Sequence, residues 1–276
     1  MSDVEASSST GGSGVAVEAA DGVVTVTLDR PARKNALSKA MVRELTAVAE
    51  GVGREDGTRV VVLRASGPDF CSGIDLVESN DPNRGGGRPR TGHMQRDLSS
   101  GAHGMIRAFH LLQTPVVAAV RGWAAGIGNS LALSADVVVA DTTARFWVPM
   151  VARGFTPDSG NTWLLPRLIG LPRAKEMLLR AKPVDAERAE RWGLISRCVA
   201  PDQLDAALAE VVDELGQAAT LAVGLTKAAI HRNLGVDLDA ALQSEGMYEE
   251  LAIRSDDFKE GIRAFMRRET PYYKGR

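Results

Sequence analysis

Apolar and polar positions alternate through residues 15–28 on either side of Asp21-Gly22, and this pattern predicts a β-hairpin. Ser38 then precedes Met41, Val42, Leu45, Val48 and Ala49 at helical spacing, which predicts a helix capped by the Ser38 hydroxyl. The runs 60–63, 116–120 and 137–140 are apolar without interruption, as expected of strands buried on both faces. Separated by helical stretches, such strands pair in parallel within an α/β architecture. Between them a helix is expected over about 95–112, and Pro115 opens the second strand, where its missing N–H is tolerated. Further on, Pro172 marks a first helical turn, Asp185 a second helix cap, and a last strand over 195–199 stops at Pro201. Residues 202–268 keep a helical period (Leu204, Leu208, Val211, Val212, Leu215) and carry enough apolar surface to cap the core and contact other subunits. The expected organisation is a disordered tail over 1–14, a core over 15–201 and a helical region over 202–276.

Composition narrows the class. In 276 residues, 44% are apolar and 25% charged, which excludes global disorder. Lys plus Arg number 33 against 35 Asp plus Glu, so no basic footprint for nucleic acid covers the chain. No apolar run reaches the length of a membrane span, and the acidic, Ser-rich start lacks a signal-peptide h-region, so a cytoplasmic location without a membrane partner is expected. Cys71 and Cys198 make no disulfide framework, and His93, His103, His110 and His231 show no zinc spacing, so no metal is expected. Residues 79–92 are polar and Gly-rich, and their Arg84, Arg88 and Arg90 are read as a solvated surface.

Chemistry concentrates in three segments. Asp69-Phe70-Cys71-Ser72-Gly73-Ile74-Asp75-Leu76 directly follows one strand, and Arg121-Gly122-Trp123-Ala124-Ala125-Gly126-Ile127-Gly128-Asn129-Ser130 follows the next. Glycine at a strand-to-helix bend frees backbone N–H groups, and two such turns side by side aim two donors at one oxygen, as an oxyanion hole requires. Each turn alone is ordinary turn chemistry. A dinucleotide fingerprint does not fit, because Leu131 stands where its third glycine belongs. The third segment, residues 156–166 (TPDSGNTWLLP), offers Asp158; taken alone, this residue is simply a helix N-cap.

Taken together, FCSGID, PVVAAVRGWAAGIGNSLALSADVVVA, TPDSGNTWLLPRLIG and ERAERWGLISRCV resemble, in order and spacing, the enoyl-CoA hydratase/isomerase (crotonase) superfamily from about residue 15 to the C-terminus. The segment PDSGxTWLLPRL is similar to the ring-1,2-epoxyphenylacetyl-CoA isomerase branch, with Asn161 where that branch commonly has Gly. The resemblance implies a crotonase-like α/β spiral of repeated ββα units, with a C-terminal helical region that assembles a homotrimer or hexamer. It implies an acyl-CoA substrate, with coenzyme A entering as part of the thioester and no tightly bound cofactor. The oxyanion donors it implies are the N–H groups of Ile74 and Ile127. Since the family usually has Gly at the second position, the Ile127 side chain is expected to narrow the approach.

The two glutamates of the hydratases fall on Ser130 and Met150, neither of which relays a proton as a carboxylate does. Asp158 remains as the implied acid/base, which favours isomerisation. Ile74, Ile127, Phe146, Trp147 and Met150 are expected to line an apolar pocket, and Cys71, Ser72, Gly73, Asp75, Leu76, Gly126 and Ser130 to contact substrate. Arg33, Lys34 and Arg268, with Arg30 nearby, are the cations expected at the CoA phosphates. An atypical hydratase and a non-catalytic acyl-CoA binder are the alternatives.

Overall fold

The computed structural model describes residues 7–79 and 90–276. Its strands are β1 (Ser7–Gly11), β2 (Val15–Ala20), β3 (Val23–Leu28), β4 (Val60–Ala65), β5 (Val116–Val120), β6 (Trp123–Ala125), β7 (Val137–Asp141), β8 (Arg145–Trp147), β9 (Val184–Asp185) and β10 (Arg197–Val199). The helices are α1 (Lys39–Val52), α2 (Leu76–Ser79), α3 (His93–Ser100), α4 (Ala102–His110), α5 (Ile127–Leu133), α6 (Asn161–Arg180), α7 (Ala186–Trp192), α8 (Leu204–Gln217), α9 (Thr220–Asn233), α10 (Leu238–Ala252) and α11 (Asp256–Arg267).

Seven strands form one sheet in the order β1-β2-β3-β4-β5-β7-β10. The β2–β3 hairpin turns at Asp21 and Gly22, with φ of 51° and 77°, the left-handed pair that a tight hairpin demands. From β3 onward the pairing is parallel. A smaller sheet, β6-β8-β9, lies in a second layer. Successive passes of the chain place β5 then β6, and β7 then β8, so each contributes one strand to the large sheet and one to the small.

The apolar runs divide by parity. Val61 and Leu63 join Val24, Val26, Val116, Ala118 and Val138 in the main core with α1 and α4. Val60, Val62, Val117, Ala119 and Val139 face the other way and are covered by Leu204, Ala207 and Leu208 of α8. The doubly buried strands are therefore sandwiched, with α8 covering the second face of the sheet. Ser38 caps α1 as expected, its Oγ accepting from the Met41 N–H at 3.1 Å, and Asp185 caps α7 through the Arg188 N–H at 2.8 Å.

Three local expectations are corrected. The tail assigned to 1–14 contains β1, whose backbone pairs antiparallel with β2 from Ser7 to Gly11; edge pairing needs main-chain groups and no apolar pattern. The helix over 95–112 is two, α3 and α4, broken at Gly101, where a Cβ would sit 2.8 Å from the Asp97 carbonyl oxygen. The last strand shortens to Arg197–Val199, since the Leu194 N–H closes α7 onto Ala189 O. Arg84 and Arg88 lie outside the described residues. Among the described residues no helix is long and apolar enough to cross a membrane, and no cluster of His, Cys, Asp and Glu is grouped to hold a metal ion.

The helical region is tied down by a part-buried ion pair, Lys227 Nζ to Asp136 Oδ2 at 2.6 Å, and the same oxygen accepts the Val116 N–H at 2.7 Å. The pair borders a cleft of about 740 Å³ that His110, Trp163, Leu168 and His231 also line. The imidazoles of His110 and His231 stand 4.3 Å apart. Burial first, then His231 and Lys227, push His110 down to about 4. An unfolded imidazole takes its proton near pH 6.5, so below that pH the unfolded chain binds the extra proton. The stability linked to this imidazole is therefore fully present above about pH 6.5 and declines toward pH 4. His110→Gln is expected to flatten this acid limb, so that wild type loses about 2–4 °C more in Tm than the variant between pH 7.5 and 5. Parallel calorimetric scans at the two pH values check it, and equal losses would assign the acid sensitivity elsewhere.

Candidate active site

The two Gly-bearing turns meet in the smaller layer. Leu37 pairs with Ile74, and Cys71 pairs with Ala124 of β6. Three short bonds close the seam: Phe70 N to Arg121 O at 2.8 Å, Cys71 N to Trp123 O at 2.7 Å and Ala125 N to Cys71 O at 2.8 Å. A Cβ on Gly73 would lie 3.1 Å from Ala125 O, and one on Gly126 would lie 3.9 Å from Gly73 Cα. The two turns thus touch through the atoms that only glycine lacks.

This arrangement frees two donors. Leu37 donates to Gly73 O at 2.8 Å and accepts from Asp75 N at 2.9 Å, so the bridge uses the groups flanking Ile74 and turns the Ile74 N–H to the opposite side. Gly126, at φ 58°, donates its own N–H to Trp147 O at 2.8 Å and opens α5. The Ile127 N–H is then a first-turn donor with no carbonyl behind it. Among the described residues neither N–H has an acceptor. Ile74 is 39% exposed, whereas Ile127 is only 4% exposed and packs in the main core. The expected narrowing by Ile127 is therefore not found, because its side chain turns inward while its N–H is at the turn.

Met150 lies against the second turn, its Cε 3.5 Å from where a Gly126 Cβ would be. Ser130 is fully buried in α5, and its Oγ has no hydrogen-bond partner among the described residues. Asp158 is half-buried and does not cap α6, since Gly160 occupies the cap position with no side-chain cap bond. It sits one residue before Ser159 and Gly160, both left-handed, with φ of 53° and 86°. A non-glycine residue held there is strained, and such strain recurs at functional sites. The Asp158 main-chain oxygen accepts from the Asn161 backbone N–H at 3.1 Å and from Asn161 Nδ2 at 3.0 Å. Asn161 Nδ2 also reaches Gly126 O at 3.5 Å, and its Oδ1 accepts from Asn129 Nδ2 at 2.9 Å. The third segment is thus bound to the second turn.

Several residues expected to contact substrate have partners within the protein. The Asp75 carboxylate is buried and faces Arg30, at 3.2 Å, and the Val77 N–H, so Arg30 is paired with it. Cys71 is fully buried under Gly128, and burial pushes its thiol up to about 12, so it is a packing thiol that accepts from the Gly73 N–H. Ser72 sits half-buried beside it, and its N–H donates to Lys34 O at 3.0 Å. That bond sets Arg33 and Lys34, both exposed, beside the first turn together with the exposed Leu76. Arg268 is exposed at the end of α11 and, among the described residues, bonds to neither turn.

Sequence reasoning missed the residues that hold these loops. Asn35, left-handed and fully buried, accepts from Arg30 N at 2.7 Å and donates to Ser66 O and Asp69 O. Asp69 in turn accepts from the Trp123 N–H at 3.0 Å. An Asn between a cationic stretch and an apolar helix start is the signal that was there to read.

Residues 18–276 match the family model described as enoyl-CoA hydratase/isomerase. The chain is 36% identical over 256 residues to the 1,2-epoxyphenylacetyl-CoA isomerase of Escherichia coli K12, covering 92% of this chain and 96% of that one. It is 37% identical over 259 residues to a probable enoyl-CoA hydratase of Rhodobacter capsulatus, covering 94% and 97%. Among solved structures, a putative enoyl-CoA hydratase from Streptomyces coelicolor superposes with a TM-score of 0.90 at 33% identity, covering 100% of both chains. An enoyl-CoA hydratase from Bacillus anthracis gives 0.88 at 32% identity, covering 95% of this chain and 100% of that one.

Proposed function

The chain belongs to the enoyl-CoA hydratase/isomerase family, and from that premise we propose that it isomerises an acyl-CoA, with Asp158 moving the proton and the N–H groups of Ile74 and Ile127 holding the thioester oxygen. The observation that carries this reading is the division of groups around the second turn. Ser130 and Met150 stand at the hydratase glutamate positions, and Met150 lies directly on Gly126. Neither activates water. Asp158 is bound to that same turn through Asn161.

One carboxylate suffices for isomerisation. Asp158 takes a proton from one carbon of the acyl chain, the charge moves to the thioester oxygen, and the two backbone donors stabilise the enolate oxygen. The protonated carboxyl then returns the proton to a different carbon of the conjugated system, so the double bond shifts with no net loss of atoms. Fixed backbone donors cost no reorganisation as that charge develops. Arg33 and Lys34, exposed beside the first turn, supply cations for the CoA phosphates.

A pair of assays tests the reading. Purified protein is expected to convert a 3-enoyl-CoA to its conjugated 2-enoyl isomer. It is expected to hydrate crotonyl-CoA at least about 10²-fold more slowly, the deficit of a missing acid/base. Rapid loss of the enoyl absorbance with crotonyl-CoA, without isomerisation of the 3-enoyl substrate, would assign it to the hydratases instead.

A further inference from the structure

We infer that Asn161, braced by Asn129, is a positioning residue that locks the Asp158 loop to the peptide carrying the Ile127 N–H, so that acid/base group and oxyanion donor keep one fixed relation. This rests on the proposed roles of Asp158 and Ile127.

Asn161 is 0% exposed and is the first residue of α6. Its single side-chain amide faces two main-chain oxygens, Asp158 O at 3.0 Å and Gly126 O at 3.5 Å. Its own oxygen is held by Asn129 Nδ2 at 2.9 Å, and Asn129 is likewise fully buried, in α5, two positions after Ile127. With Oδ1 occupied by Asn129, the Asn161 amide keeps its NH₂ toward the two carbonyls.

The physical consequence follows from the planarity of the peptide bond. Gly126 C=O and Ile127 N–H belong to one rigid unit, so a donor placed on the oxygen sets the direction of the N–H at the other end. Among the described residues that oxygen accepts from Ser130 N at 3.3 Å and from Asn161 Nδ2 at 3.5 Å, two long bonds that share its support. A hydrogen bond accepted by the carbonyl also polarises the same amide and strengthens its N–H as a donor. At Asp158 the side-chain bond doubles the single backbone turn bond from Asn161 N, across a stretch where two consecutive residues are left-handed. Residues 151–156 before it are exposed. Glycine in place of Asn161, as in the isomerase motif that the segment resembles, carries no side chain to make this tie, so Asn129 and Asn161 act as a matched pair in this chain.

The test uses Asn161→Ala, the isosteric Asn161→Asp, and Asn129→Ala, each confirmed folded by circular dichroism. Two probes, butyryl-CoA and its thioether counterpart S-butyl-CoA, differ in the carbonyl oxygen that the hole would grip. Titration calorimetry of wild type is expected to show a several-fold preference for the thioester, and both Asn161 variants to bring that ratio toward one. With an isomerisable 3-enoyl-CoA, the same variants should lose about tenfold to a hundredfold in kcat while KM stays within about threefold, the signature of misplacement and not of lost binding. Asn129→Ala should reproduce part of the loss, and adding it to Asn161→Ala should cost little more. An unchanged ratio and kcat in both Asn161 variants overturns the inference, as does a kcat loss matched by an equal loss of thioether binding. A wild-type protein that lacks isomerase activity yet loses its thioester preference on Asn161 substitution keeps the strut and overturns the isomerase reading alone.

Discussion

Replacing Asp158 by Asn is expected to cut isomerisation by about 10²–10⁴-fold while acyl-CoA affinity stays within a few-fold of wild type. The carboxamide has the shape of the carboxylate but does not take a proton. The bonds that hold this loop go to the Asp158 main-chain oxygen, from Asn161 N and Nδ2, and the substitution leaves both in place. Neither of the neighbouring positions takes over, since Ser130 and Met150 carry no acid/base group. The loss is therefore expected on kcat, since the N–H groups of Ile74 and Ile127 proposed to hold the thioester are left in place. Steady-state rates with a 3-enoyl-CoA, alongside calorimetric binding of butyryl-CoA, measure the two effects separately. A variant that isomerises at the wild-type rate removes Asp158 from the mechanism.

The second large effect is on folding. Gly122 joins β5 to the second turn at φ 56°, and a Cβ there would lie 2.1 Å from Pro68 O and 2.6 Å from Asp69 Oδ1. Backbone does not yield as a flexible side-chain end does, so Gly122→Ala must push the 68–71 segment away from 121–125. That seam is where Phe70, Cys71 and Ala125 exchange their bonds with the opposite turn. A left-handed non-glycine residue costs about 1–3 kcal/mol and forced overpacking about 1–3 more. A loss of about 3–5 kcal/mol lowers Tm by about 10 °C or more in a chain of this size. Thermal unfolding followed by circular dichroism reads the change. A drop of only a degree or two would mean that the two turns separate freely, and with them the case for a fixed pair of donors.

How much of this was legible in the sequence follows from the range of the interactions. Val60 to Val62, Val116 to Val120 and Val137 to Val139 announce themselves as doubly buried strands, because burial on both faces leaves no room for polar alternation. The turn glycines Gly73 and Gly126 stand out because each follows such a strand. What escaped is what depends on partners distant in the chain. β1 has no apolar pattern and is ordered by backbone pairing to β2. Asp75 reads as a free motif carboxylate until Arg30 is seen 3.2 Å away. Asp158 looks like a helix cap, and only the left-handed Ser159 and Gly160 move the helix start beyond its reach. Asn161 reads as a departure from a motif; its meaning requires Asn129, thirty-two positions earlier.

The place of α8 bears on how the molecule comes to exist. Val60, Val62, Val117, Ala119 and Val139 form one face of the large sheet, and Leu204, Ala207 and Leu208 are what cover it. During synthesis the strands emerge first, and their second face has no cover until residues beyond 204 have left the ribosome. For that interval the growing chain presents a β-rich apolar surface of the kind that recruits chaperones or other nascent chains. The closing contact is also among the most distant in sequence, so it sets a late step in folding. The helix that closes this face therefore bears on how readily the newly made chain reaches the state in which the two turns meet.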